Sequence, residues 1–74
     1  MTQEDCLEWL REQHKSNPDK WFRVKDVQDG LRSQGKGNGT IKNVAYHLLK
    51  LTQCGDLLMR GVGLWEHYKE FKVQ

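Results

Sequence analysis

The sequence predicts an α+β fold, mainly α, with the order helix, strand, helix, helix, strand, strand. Three observations predict it. Three stretches carry apolar residues at helical spacing between capping residues and glycine or proline stops. Trp21-Phe22-Arg23-Val24 is short, aromatic and β-branched. The final third holds two extended segments rich in Leu, Trp and Tyr on either side of Gly61-Val62-Gly63. With 74 residues and 8.7 kDa, there is room for one domain, residues 1–74.

The first helix is expected from Thr2 to Lys15. Thr2 followed three residues later by Asp5 reads as an N-cap with an acidic N3, and Glu4, Asp5 and Glu8 crowd the end where the helix dipole favours acids. Cys6, Leu7, Leu10 and His14 fall on one side, whereas Trp9 points roughly 110° from the centre of that stripe. Trp9 is therefore either a flank of the core or an exposed aromatic. Asn17-Pro18-Asp19 is a turn, because the residue before proline avoids the helical region and Asn and Asp nucleate turns.

Trp21–Val24 is expected to be a brief strand, followed by a short helix from Lys25 to Gln34 with Val27 and Leu31 four apart and Gly35 as its stop. Gly35-Lys36-Gly37-Asn38-Gly39 is a loop, since ordering three glycines in a regular element costs backbone entropy. Thr40 caps a third helix from Ile41 to about Cys54, ended by Gly55. Its apolar side is Ile41, Val44, Ala45, Leu48, Leu51 and Thr52; its opposite side is Lys42, Asn43, Tyr46, Lys50 and Gln53. Leu57–Arg60 and Leu64–Phe71 then pair as a hairpin, with the glycines supplying positive φ at a three-residue tip.

Charge separates along the chain. Residues 1–29 hold five Lys/Arg and seven Asp/Glu, residues 30–55 hold four Lys/Arg and no acid, and residues 56–74 hold three of each. An acid-free run of that length is a local positive field of the kind that attracts polyanions, so the formal net charge of +2 conceals a basic middle third. Apolar runs of two or three residues are far too short to span a membrane, and the acidic start is unlike a signal peptide. The expectation is a cytoplasmic protein without membrane contact. Cys6 and Cys54 are read as free, mostly buried thiols in preference to a single disulfide.

Val44, Leu48, Leu51, Gly55 and Leu57 fit the pattern V-x-x-x-L-x-x-L-x-x-x-G-x-[LIV] at every position, and Val24-x-x-Val27-x-x-x-Leu31 precedes it. In this the chain resembles the winged helix-turn-helix family over nearly its whole length. The resemblance implies three helices, a short strand and a C-terminal β-hairpin wing over residues 57–71, with the third helix placed in the major groove of double-stranded DNA. Three glycines make the turn between helices two and three longer than is usual in that family. The asparagine, tyrosine and proline arrangement of the Z-DNA-binding branch does not fit, because Asn43 and Tyr46 are three apart and no proline lies near Trp65.

The residues expected at DNA are Lys36, Asn38, Thr40, Lys42, Asn43, Tyr46, His47, Lys50 and Arg60. A helix fits the major groove, and long outward side chains reach base edges there. Asn43 is suited to an adenine edge, Lys42 to guanine or phosphate, and Lys50 to phosphate. His47 lies at the edge of that face. Lys36, Asn38 and Thr40 precede the helix N-terminus, where amides and the dipole favour a phosphate. Thr40 is a cap before it is a contact. Arg60 flanks the wing tip, and Arg23, Lys25 and Arg32 are weaker candidates.

Neither chemistry nor metal binding is expected. His14, His47 and His67 sit on three elements without ligands at metal spacing, and no nucleophile has a base nearby, nor does Gly35–Gly39 carry the lysine and hydroxyl of a nucleotide loop. No cofactor and no small-molecule substrate is evident. The expected protein is a non-enzymatic, sequence-specific DNA-binding transcription regulator, as a homodimer with Trp9 and the Phe71 segment as candidate dimer surfaces. The competing reading is a winged-helix protein interaction module within a larger complex.

Overall fold

The structure, a computed structural model, describes residues 2–36, 39–61 and 69–74. It is α+β and mainly helical, with α1 (Gln3–Ser16), β1 (Phe22–Arg23), α2 (Val24–Ser33), α3 (Ile41–Gln53), β2 (Leu57–Arg60) and β3 (Glu70–Val73). The strands form an antiparallel sheet in the order β1-β3-β2. No helix among the described residues is long and apolar enough to cross a membrane.

α1 begins as the sequence dictates. The Thr2 hydroxyl accepts from the Asp5 N–H at 3.2 Å, and the Asp5 carboxylate accepts from the Thr2 N–H at 3.0 Å, so each residue's side chain satisfies the other's otherwise orphaned amide. α2 starts one residue earlier than expected, and β1 is correspondingly shorter than Trp21–Val24. The cause is Asp26, whose carboxylate accepts from the Arg23 N–H at 3.0 Å and fixes Arg23 as the N-cap and Val24 as the first helical residue. α2 and α3 end alike. Lys36 N–H donates to the Leu31 carbonyl and Gly35 N–H to Arg32; Asp56 N–H donates to Leu51 and Gly55 N–H to Thr52. These are paired Schellman bonds, and they require the positive φ of Gly35 (70°) and Gly55 (88°).

The core lies between the helices and one face of the sheet. Cys6 and Leu10 of α1, Val24, Val27 and Leu31 of α2, and Val44, Ala45, Leu48 and Leu51 of α3 meet Phe22, Leu57 and Phe71. Trp9 is a flank of this core: it is half-buried and edge-on to Phe22, with ring centroids 5.3 Å apart. Ile41 and Leu49 also pack on the core. Cys6 and Cys54 are free, but Cys54 is exposed rather than buried because it is the C-cap of α3, turned out where the helix ends.

The hairpin register differs from the expected one. A three-residue tip over Gly61–Gly63 would pair Arg60 with Leu64, whereas Arg60 pairs with Glu70 and Leu57 with Val73. Among the described residues the second strand is Glu70–Val73, and the Leu64–Tyr68 part of the expected strand lies outside them. The register follows from burial: it lets Phe71 sit fully buried in the central strand, opposite Phe22 on one side and Met59 on the other. Phe71 thereby has no surface left for a dimer contact. Residues 62–68, which hold the expected tip residues Val62 and Gly63 as well as Trp65, His67 and Tyr68, lie outside the described residues.

Candidate nucleic-acid interface

The cap at Thr40 sets which side of α3 faces outward. Its hydroxyl accepts from the Asn43 N–H at 3.2 Å, so the helix starts at Ile41 and the i, i+3, i+4 rows follow from there. Val44, Ala45, Leu48 and Leu51 are buried, and Lys42, Asn43, Tyr46, Lys50 and Gln53 are all exposed. Tyr46 is 57% exposed, a large fraction for an aromatic. Lys50, one turn on, holds its ammonium over the Tyr46 ring at 5.6 Å, an i, i+4 pair that orders both side chains on one surface.

Among the described residues no carboxylate forms an ion pair with this face. The first turn of α3 holds no acid, and among the described residues neither Lys42 nor Lys50 takes part in an ion pair. Lys15, Arg23, Lys36, Arg60 and Lys72 do. His47 stands at the edge of the face, half-buried, with its ring edge-on to Tyr46 at 5.7 Å. Its Nδ1 is enclosed without a hydrogen-bond partner among the described residues.

The remaining expected residues divide. Lys36 reaches the α1 carboxylate of Glu8 at 4.0 Å, so it is drawn toward α1 and away from the group on α3. Asn38 lies outside the described residues. Arg60 is on the outer face of the sheet, the side opposite Leu57 and Phe71, where its Nε donates to Glu70 at 3.0 Å and its guanidinium stacks 4.3 Å from the centre of the Trp21 ring. The structure therefore gathers Thr40, Lys42, Asn43, Tyr46, His47 and Lys50 on one helix and leaves Lys36 and Arg60 apart from them.

Two features escape a reading of the sequence. Gln28, in the middle of α2 and 7% exposed, donates its side-chain amide to the Gly39 carbonyl at 2.9 Å. This fastens the loop before α3 to α2. The only hint in the sequence is position: Gln28 is next to Val27, on the inward side of a short helix. The second feature is a cation and aromatic cluster on the outer sheet face, where Arg23 and Arg60 flank Glu70 at 3.9 and 3.0 Å, and Arg60 and Lys72 approach the Trp21 ring. Two-residue alternation along β2 and β3 encodes it once the register is known.

Around Trp9 the surface has an open depression of about 350 Å³, lined by Trp9, Gln13, Lys20, Phe22, Asp29 and Ser33 among others. Among the described residues no three metal-ligating side chains come together. Comparison of the chain with protein-family models, with curated proteins and with solved structures gives no match.

Proposed function

We propose that this chain is a winged-helix DNA-binding protein, a sequence-specific transcription regulator that presents α3 to the major groove. The observation that carries the reading is the outward face of α3: two lysines without ion-pair partners among the described residues, an asparagine and an exposed tyrosine, in a 26-residue stretch, residues 30–55, that lacks any carboxylate. A duplex with a phosphate every few ångströms answers such a face by counterion release, and a lone helix is the element that the major groove admits. Asn43 is the base-reading residue, Lys42 and Lys50 grip phosphate or guanine, and Tyr46 fills the contact between them. The helix order and the three-stranded sheet are compatible with the winged-helix layout, with β2 and β3 as the stem of the wing.

The test is an anisotropy titration with random-sequence duplex at two salt concentrations, on the natural chain and on Lys42→Ala/Lys50→Ala. The expected result is binding that weakens steeply with salt, with a log–log slope about 2 units shallower in the variant, since each phosphate contact contributes about 0.9. Circular dichroism of the variant should match the parent, because both lysines are exposed. Absence of binding at low salt, or equal binding by the variant, overturns the reading and makes protein docking the leading function.

A further inference from the structure

β2 is an edge of the sheet. One side bonds to β3, and among the described residues no strand pairs with the other. Natural edges are usually guarded by proline, lysine, a bulge or an inward charge, yet Leu57-Leu58-Met59-Arg60 has no proline and no lysine, and it carries exposed apolar residues. Leu58 is 42% and Met59 38% exposed; with Tyr46 they are the exposed large hydrophobics of the described residues.

We propose that this edge takes a second copy of the same chain, β2 against β2 antiparallel, to make a continuous six-stranded sheet around a two-fold axis at Leu58. The register is fixed by elimination. A two-fold perpendicular to the sheet keeps the inner side of both copies inward, so each residue must face one an even number of positions away. An axis at Leu57 sets Leu58 against Asp56; one at Met59 sets Leu58 against Arg60; one at Arg60 sets two guanidiniums together. Only the axis at Leu58 sets Leu58 against its own copy, Leu57 against Met59, and Arg60 against Asp56, twice over. The ladder already reaches that far, because Gln74 N–H donates to the Asp56 carbonyl at 3.2 Å. Arg60 is held across the sheet by Glu70 and the Trp21 ring in the single chain, so its exposed guanidinium turns from them to meet the opposing carboxylate. Apolar matching at the centre and charge complementarity at both ends make the edge self-complementary.

The contact is tested on the full chain without nucleic acid, so its failure and a failure to bind DNA are separate results. Sedimentation equilibrium up to high micromolar protein is expected to show mass rising toward twice the 8.7 kDa of the chain. Leu58→Lys, at an exposed position, should fold normally by circular dichroism and weaken association by about tenfold or more, because it opposes two ammonium groups. In a Cys54→Ser background, Leu58→Cys should form a disulfide-linked dimer under mild oxidant. Directly opposed residues of an antiparallel pair are about 4.5–5.5 Å apart at Cα, within disulfide reach. Met59→Cys in that background should not link, because its two copies are offset by about 6.8 Å along the strands. A monomer at every concentration overturns the proposal, as does a dimer that Leu58→Lys leaves intact, or one that the Met59→Cys variant links by disulfide and the Leu58→Cys variant does not.

Discussion

The Gln28 side-chain amide donates to the Gly39 carbonyl at 2.9 Å, joining the centre of α2 to the residue before the Thr40 cap. A loop with three glycines would leave the start of α3 free to wander, and this bond removes that freedom at the point where the helix begins. Gln28→Leu should cost about 1–2 kcal/mol, because it leaves a half-buried carbonyl unpaired, and Gln28→Glu should cost more at neutral pH, because an ionised carboxylate has no proton to donate. Urea denaturation of the two variants ranks them. A Glu variant as stable as the parent at pH 7 would sink the assignment.

Gly30 is packed against Trp9 so closely that a Cβ built on it falls inside the indole. Alanine ordinarily gains about 1 kcal/mol over glycine within a helix, and the contact reverses that sign. Gly30→Ala should destabilise the fold by about 1–3 kcal/mol as α1 and α2 are forced apart or Trp9 swings off Phe22. Chemical denaturation together with Trp fluorescence checks it, and a stabilised variant would show that the two helices are not in this contact.

Phe71 occupies the central strand, fully buried between Phe22 and Met59. Truncating such a side chain costs about 3–5 kcal/mol, against a total of roughly 4–11 kcal/mol for a chain of this length. Phe71→Ala should therefore lose about a third or more of the total and show a much lower denaturation midpoint, while Phe71→Leu loses less. Met59→Ala, on the same face but at the rim, should lose about 1 kcal/mol or less. Comparable losses at 59 and 71 would contradict the burial of Phe71 and the exposure of Met59.

How far the sequence carries is visible in these same residues. Local chemistry was legible: Thr2 with Asp5, Thr40, Gly35 and Gly55 act through bonds to neighbours in the chain, and the α3 face follows from its period alone. The strand Leu57–Arg60 and its antiparallel pairing were legible too, but the register was not, because Gly61-Val62-Gly63 is a good turn in isolation and nothing local reveals that Phe71 must pair with Phe22, 49 positions upstream. Gln28 was missed for the same reason, its partner being 11 residues away across a loop. In the candidate site, composition identified α3, but only the ion pairs of Lys36 and Arg60 separate those two residues from it.

Cys6 couples the stability of the fold to pH. Its side chain is fully buried, and burial, helped by the neighbouring Asp5 carboxylate, pushes the thiol up from 9.0 to about 11. The folded chain holds this proton more tightly than the unfolded chain. The resulting stabilisation is intact below pH 9, where the thiol is protonated in both states, and is lost as pH rises through 9 toward 11, by roughly 2–3 kcal/mol in total. The stability advantage of the parent over Cys6→Ala should shrink by that amount across the window in urea denaturation at stepped pH; a constant difference would contradict it. The same burial predicts that a disulfide reagent at pH 8 modifies Cys54 at once and Cys6 only on unfolding, because the thiolate is the nucleophile and the buried thiol has neither charge nor access.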